Sequence, residues 1–139
     1  MQDNGKLVLV VDDKAQNRKL FNGLLSGSGY QVVTAGGGAE CLALLAGVRP
    51  DLVILDVMMP DMDGFELCRR IRGETGLREM PILFVTAYPF PENLQKALSV
   101  GGNDLLAKPF DIDALLLRVA SLLAAARHGM AAPVRPARA

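Results

Sequence analysis

Short apolar runs alternate with segments of helical periodicity along most of this chain. Unbroken runs of Val, Ile, Leu and Phe are typical of strands that are covered on both faces, as in parallel sheets. The predicted strands cover residues 6–11, 30–34, 52–55, 81–85 and 104–107. This pattern predicts a five-stranded sheet in the interior of the protein.

The segments between these runs place apolar residues at helical spacing, and glycines follow several of them. The predicted helices cover residues 15–25, 39–45, 65–71, 92–100 and 112–125, with Asp111 as the N-cap of the last one. Strict alternation of strands and helices predicts an α/β fold with a flavodoxin-like, doubly wound parallel sheet and right-handed crossovers. We expect the strand order 2-1-3-4-5 and three α/β/α layers.

The length of 139 residues fits one domain that can bury a proper core. We assign residues 1–126 to that domain. From residue 127 to residue 139 the composition shifts to Ala, Pro, Arg and Gly. This composition predicts a disordered tail or the start of a linker.

Charge and hydropathy exclude several classes of function. Fifteen basic and fifteen acidic residues cancel, so no overall field favours direct binding of nucleic acid. No apolar stretch approaches the roughly 18 residues that cross a membrane, and the N-terminus lacks a secretory signal pattern. Cys41 and Cys68 show no CxxC spacing, which favours buried thiols. We therefore expect a cytoplasmic protein without membrane contacts.

Polar residues follow three of the predicted strands. Asp12 and Asp13 follow the first strand, Asp56 the third and Thr86 the fourth. In open α/β sheets, ligands bind outside the carboxyl ends of the strands, so these side chains should converge on one crevice. Carboxylates about 4 Å apart repel by about 4 kcal/mol at an effective dielectric of 20, so the cluster favours a cation. Oxygen ligands suit Mg²⁺ or Mn²⁺ rather than zinc.

Four segments carry a resemblance to a known family. They are residues 10–13 (VVDD), 55–64 (LDVMMPDMDG), 84–87 (FVTA) and 102–110 (GNDLLAKPF). In this order, and each at a strand end, they resemble the receiver domain of two-component response regulators over nearly all of residues 6–125. Residues 1–126 are thus expected to form a receiver domain, a signalling switch with an aspartyl phosphate rather than a turnover enzyme.

The resemblance implies a role for each site residue. Asp56 would be the phosphoacceptor, attacking a phosphohistidine of a sensor histidine kinase or phosphotransfer protein. Asp12, Asp13 and Asp56 would hold Mg²⁺ together with the backbone carbonyl of Met58, and Mn²⁺ would substitute. Lys108 would pair with a phosphoryl oxygen.

The resemblance also implies how phosphorylation is transmitted. Thr86 would donate its hydroxyl to the phosphoryl group, and the Lys108–Pro109 bond would be cis, as in the family. The face of the fourth helix, fifth strand and fifth helix would then change shape and bind an output partner or a fused output domain. Homodimers on phosphorylation are a further expectation.

The chain departs from the family pattern at two places. Leu105 stands where the family often has Tyr or Phe, so rotation of a ring there is excluded as the signal. Tyr88 and Phe90 are a hypothetical replacement as partner-facing rings, the alternative being simple packing on the sheet edge. Met58 and Tyr88, at the positions that flank the attacking water in the family, offer no carboxylate or amide. This predicts slow hydrolysis of phosphorylated Asp56.

Two other functions remain open from the sequence. One is an interaction module that keeps the fold without the phosphate chemistry, although all the expected site residues are present. The other is a phosphatase or mutase with an Asp nucleophile. Enzymes resembling the haloacid dehalogenase family need a second Asp two residues after the nucleophile, and Met58 occupies that position.

Overall fold

A computed structural model describes residues 5–74 and 76–127. Strands and helices alternate, as the sequence pattern predicts. The strands are β1 (Leu7–Val11), β2 (Gln31–Ala35), β3 (Leu52–Asp56), β4 (Ile82–Thr86) and β5 (Asp104–Ala107). The helices are α1 (Ala15–Ser26), α2 (Gly38–Leu45), α3 (Gly64–Glu74), α4 (Pro91–Ser99) and α5 (Ile112–Arg127).

The strands form one parallel sheet in the order β2-β1-β3-β4-β5. This confirms the predicted flavodoxin-like order. The chain switches direction across the sheet between β1 and β3, the neighbours whose carboxyl ends open a crevice. The first and third strands therefore carry their terminal residues to the same edge.

The core forms two layers, one on each face of the sheet. Val8 and Val10 pack on the face covered by α1 and α5, whereas Leu9 and Val11 pack on the face covered by α2, α3 and α4. Every residue of β3 and β4 is buried. Burial on both faces explains why these strands carry no polar alternation, and it confirms the three-layer prediction.

The element boundaries differ slightly from the predicted ones. β3 and β4 each include the polar residue that follows the apolar run, because Asp56 pairs with Val85 and Thr86 with Ala107 in the ladder. α5 continues to Arg127, two residues past the predicted end. Its alanine-rich last turns are good helix formers, so the composition change did not end the helix.

Carboxylates cap two helices, and the cap of α5 by Asp111 was predicted from the sequence. Asp63 Oδ1 accepts a hydrogen bond of 2.9 Å from the Glu66 amide, and Asp111 Oδ1 accepts one of 2.7 Å from the Ala114 amide. Both contacts satisfy amides at the start of α3 and α5.

Three further predictions concern the cysteines, membrane spans and the C-terminal tail. Cys41 and Cys68 are buried free thiols, as predicted, and burial raises their pKa to about 12 and about 11. Within residues 5–74 and 76–127, no helix combines the length and the apolar character of a membrane span. The predicted tail, apart from Arg127, lies outside the described residues.

Candidate functional site

Three carboxylates meet at the crevice between β1 and β3. Asp12 and Asp13 follow β1, and Asp56 is the last residue of β3. One oxygen of each lies within 4.8 Å of the others. Asp12 is 1% exposed and Asp56 is 8% exposed, so water screens their repulsion poorly. The structure thus brings together the three acidic residues that the sequence analysis singled out.

Lys108 supplies a positive charge to this cluster. Its Nζ lies 3.3 Å from Asp56 Oδ1 and 3.8 Å from Asp12 Oδ2. The Lys108 amide donates to the Thr86 carbonyl at 2.7 Å, which fixes the backbone beside β4. The peptide bond between Lys108 and Pro109 is cis, as the resemblance implied.

Neighbouring groups hold the Asp12 side chain in one orientation. Its Oδ1 accepts from the Lys14 amide at 2.9 Å, and its Oδ2 accepts from Asn17 Nδ2 at 3.2 Å. Arg18 Nη1 donates to the Asp12 carbonyl at 2.7 Å. These contacts from the first turn of α1 order the turn between β1 and α1. Asn17 and Arg18 have no distinctive spacing in the sequence that would mark them as site residues.

Asp13 has an atom that the protein leaves unsatisfied. In the described part of the chain, its Oδ1 is the one buried side-chain oxygen or nitrogen without a hydrogen-bond partner. An unpaired carboxylate oxygen in a buried position is costly. Because two further carboxylates lie beside it, the donor set is the all-oxygen set that a hard divalent cation prefers. The residues present therefore fit a metal ion.

The environment of Asp56 disfavours its charged form. Burial raises the pKa of this carboxyl above its ordinary value of 3.8, the positive charge of Lys108 lowers it, and Asp12 raises it further. The net direction is upward. A cation beside these oxygens would relieve both the desolvation and the repulsion.

The loop after β3 folds back over the end of its own strand. The Gly64 amide donates to the Val57 carbonyl at 2.9 Å. A Cβ on Gly64 would lie only 2.4 Å from the Asp56 carbonyl oxygen, so this close approach requires glycine. Met58 lies in this loop, two residues after Asp56. The binding of a metal ion by its backbone carbonyl stays a prediction.

Asp61 connects the same loop to α2, a contact that no pattern in the sequence indicates. Its carboxylate oxygens accept from the Gly38 amide at 3.4 Å and the Ala39 amide at 3.3 Å. These hydrogen bonds hold the pKa of Asp61 below its usual range, the bond from Ala39 contributing most. A Cβ on Gly37 would lie 3.0 Å from Asp61 Oδ1, so the glycines at residues 36–38 allow Asp61 to approach the backbone closely.

Thr86 lies at the end of β4, next to the strand that carries Asp56. The residue is fully buried, and its Oγ1 accepts a hydrogen bond of 3.0 Å from the Tyr88 amide. In this structure the hydroxyl therefore contacts the loop between β4 and α4. Its predicted contact with a phosphoryl group stays a prediction.

A cleft of about 310 Å³ opens above the Asp56 carboxylate. Met58 and Tyr88 form part of its wall, and both are exposed, by 59% and 51%. The cleft is lined by Lys14, Asn17, Asp56, Met58, Ala87, Tyr88 and Lys108. The strand-end carboxylate of Asp56 and the ammonium of Lys108 therefore share one solvent-accessible cleft, beside an acidic cluster that fits a cation, and this arrangement suits transfer of a phosphoryl group.

Sequence comparisons assign this arrangement to one family. The family model for the response regulator receiver domain matches residues 8–120. Response regulator MprA of Mycobacterium tuberculosis is 44% identical over 116 residues, covering 84% of this chain and 50% of MprA. Transcriptional regulatory protein GltR of Pseudomonas aeruginosa is 42% identical over 123 residues, covering 88% of this chain and 51% of GltR. The chain thus spans about half the length of the curated relatives it matches.

Solved structures agree with this assignment. The Vibrio cholerae chemotaxis protein CheY4 superposes with a TM-score of 0.76 at 37% sequence identity, over 83% of this chain and 96% of that chain. The fold, the acidic crevice and the sequence matches lead to one conclusion: the chain belongs to the family of response regulator receiver domains, the signalling switches of two-component systems.

Proposed function

We propose that Asp56 of this protein accepts a phosphoryl group from a phosphohistidine on a sensor histidine kinase or a phosphotransfer protein. The observation that carries the proposal is the meeting of three carboxylates with the Lys108 ammonium at the carboxyl end of the sheet. An isolated strand-end aspartate would need no such surroundings. A phosphoacceptor needs them all, since its nucleophile and the incoming oxygens are both negative.

The proposed phosphoryl transfer needs no reactant other than Asp56 and the phosphohistidine. An Asp56 carboxylate oxygen attacks phosphorus, and the bond between phosphorus and the histidine nitrogen breaks. The histidine nitrogen keeps the electron pair, and Asp56 becomes an acyl phosphate.

The other site residues prepare this step. The carboxylates of Asp12, Asp13 and Asp56 and the backbone carbonyl of Met58 are the groups that would hold Mg²⁺, with Mn²⁺ as a substitute. Such a metal supplies positive charge that offsets the repulsion between carboxylate and phosphoryl oxygens. The partnerless Oδ1 of Asp13 supports this assignment.

Lys108 and Thr86 act on the transferred group. The Lys108 ammonium, now 3.3 Å from Asp56 Oδ1, turns to an oxygen of the phosphoryl group once it has arrived. Thr86 donates its hydroxyl to another oxygen, which draws the end of β4 toward the new charge. The surface of α4, β5 and α5 then changes and binds the output partner.

The proposed partners follow from the family and its relatives. The matching segment covers about half the length of the matched relatives, and GltR is named a transcriptional regulatory protein. We propose a fused output domain or a separate output protein as the recipient of the signal, with homodimerisation on phosphorylation as a further response. The proposed setting is the cytoplasm, where the buried thiols of Cys41 and Cys68 stay reduced.

Turnover as a phosphatase is disfavoured by the residue two positions after the nucleophile. Met58 has no proton to give a leaving group, so the expected cycle is one phosphorylation and one slow hydrolysis. No contact at the site favours the alternative function, an interaction module that keeps the fold without phosphate chemistry. We therefore propose the phosphorylated signalling switch alone.

The test is phosphorylation by a small acyl phosphate, followed by intact mass measurement. The wild-type protein should gain one phosphoryl group in the presence of Mg²⁺ or Mn²⁺ and none with a chelator. Asp56→Asn should gain none, whereas the control Asp113→Asn, in the exposed first turn of α5, should be labelled like the wild type. Labelling that persists in Asp56→Asn would overturn the proposal.

A further inference from the structure

A chain of hydrogen bonds connects Thr86 with the first turn of α4. The Tyr88 amide donates to Thr86 Oγ1 at 3.0 Å, and the Tyr88 carbonyl accepts from Asn93 Nδ2 at 2.6 Å. The two bonds use opposite sides of one residue's backbone. Tyr88 is thus held between the hydroxyl beside the crevice and the side chain of a helical residue.

Asn93 also takes part in the backbone hydrogen bonds that begin α4. Its amide donates to the Phe90 carbonyl at 2.9 Å, and Phe90, the N-cap, makes no side-chain hydrogen bond to the helix. Because the side chain of Asn93 bonds to Tyr88 as well, the first turn and the preceding loop share this residue. A displacement of Tyr88 therefore acts directly on the helix.

The loop between Thr86 and α4 has little freedom to absorb such a displacement. Pro89 and Pro91 fix their own φ angles near −65°. They also restrict Tyr88 and Phe90, which precede them, to extended conformations. Phe90 has φ −74° and ψ 151°, in agreement with this restriction. The segment is stiff enough to transmit a movement from one end to the other.

The helix at the far end is lightly held. Ala97 is the single buried residue of α4, all of which the structure describes. Glu92, in the first turn of the helix, is exposed. A helix that buries so little apolar surface moves or frays at a small free-energy cost. Its position therefore depends strongly on the polar contacts of its first turn.

The usual aromatic route is closed in this chain. Leu105 pairs with Phe84 in the ladder between β4 and β5, and its side chain has no ring whose rotation would report on Thr86. A signal that begins at Thr86 must leave through another contact. The hydrogen bond that the Thr86 hydroxyl makes in the structure is the one with the Tyr88 amide.

We propose that Asn93 is a positioning residue that couples the Thr86 hydroxyl to the first turn of α4 through the backbone of Tyr88. The proposal rests on phosphorylation at Asp56. When Thr86 turns its hydroxyl toward the phosphoryl group, its bond with the Tyr88 amide breaks or carries Tyr88 along. In either case Asn93 passes the change to α4, and the exposed rings of Tyr88 and Phe90 move with it.

Asn93→Asp is a sharp test of this coupling. The substitution keeps the shape of the side chain but removes the Nδ2 donor to the Tyr88 carbonyl. An acidic residue in the first turn of a helix is favourable, so the variant should fold with α4 intact. Gln95→Ala, which alters an exposed side chain on the same helix, is the matched control.

The experiment compares amide hydrogen exchange in α4 before and after phosphorylation, with intact mass measured on the same samples. In the wild type and in Gln95→Ala, first-turn exchange should change severalfold on phosphorylation. In Asn93→Asp it should change less than about twofold, although the extent of phosphorylation is the same.

Three results would overturn the coupling or its basis. If Asn93→Asp responds like the wild type, Asn93 does not carry the signal. If Gln95→Ala loses the response too, the effect belongs to helix stability and not to Asn93. If the wild type gains no phosphoryl mass, the proposed function itself fails, which the mass measurement distinguishes from a failure of coupling.

Discussion

Replacement of Asp13 by Asn should make the metal-free protein more stable. The Asp13 carboxylate lies within 4.8 Å of those of Asp12 and Asp56, and its buried Oδ1 has no partner among the described residues. The Lys14 ammonium, 3.9 Å from Oδ2, is mostly exposed and compensates little. Removing the charge at 13 therefore relieves a repulsion that the folded protein bears without metal.

The size of this effect follows from the distances. Two unit charges 4.8 Å apart repel by about 3.5 kcal/mol at an effective dielectric of 20. Asp13 has two such neighbours, but its side chain is 23% exposed and Lys108 partly neutralises the cluster. We expect a net gain of about 1–3 kcal/mol in the free energy of unfolding, or roughly 3–10 °C in Tm.

The assay is thermal unfolding of both proteins in a chelator and in a series of Mg²⁺ concentrations. The wild type should gain about 2.7 kcal/mol when Mg²⁺ reaches 100 times its Kd. Asp13→Asn should gain far less, so the difference between the proteins shrinks or reverses. The control Asp113→Asn should stay within about 0.5 kcal/mol of wild type throughout. A variant that is less stable than wild type in chelator, or equally stabilised by Mg²⁺, would show that Asp13 is not a repelled ligand of this cluster.

Three further predictions concern the same site. Because burial raises the pKa of Asp56, its contribution to stability is complete below 3.8 and is lost as pH rises through the folded value. The stability advantage of Asp56→Asn in chelator should thus grow with pH across that window, and an advantage independent of pH would contradict this. Phosphorylated Asp56 should persist for minutes. Met58→Asn, which offers an amide to the attacking water beside Tyr88, should shorten its lifetime severalfold. Loss of the phosphoryl group from the wild type within seconds would contradict slow hydrolysis. Gly37→Ala should displace Asp61 and raise the Kd for Mg²⁺ severalfold in titrations, since the added Cβ would lie 3.0 Å from Asp61 Oδ1. An unchanged Kd would show that Asp61 does not position the loop after β3 for metal binding.

The sheet and the acidic crevice could be predicted because both follow from simple regularities. Strands buried on two faces must be continuously apolar, and the carboxyl ends of parallel strands share one edge. Asp12, Asp13 and Asp56 were therefore recognisable by their position after such runs. Their roles as ligands and nucleophile came from the family resemblance and remain predictions.

The contacts that link loops could not be predicted in this way. Asp61 reaches α2, and Asn93 reaches Tyr88, through loop geometry that leaves no periodic signal. Arg72 is a similar case: its guanidinium donates to the carbonyls of Leu77, Met80 and Gly101, although the sequence suggests an ordinary charged residue near a helix end. Side chains that bond to backbone carbonyls carry no partner-specific pattern. The one available hint in the sequence is the run of glycines at residues 36–38, where α2 begins, and its meaning is clear only with Asp61 beside it.

The most direct measurement asks whether Asp56 itself carries the phosphoryl group. Borohydride reduces an acyl phosphate to an alcohol, so treatment of the phosphorylated protein followed by peptide sequencing marks the modified residue permanently. Homoserine is expected at position 56 in the wild type, formed only when Mg²⁺ was present during phosphorylation. Homoserine at position 12 or 13, or reduction at no position in a protein that had gained phosphoryl mass, would contradict phosphorylation at Asp56.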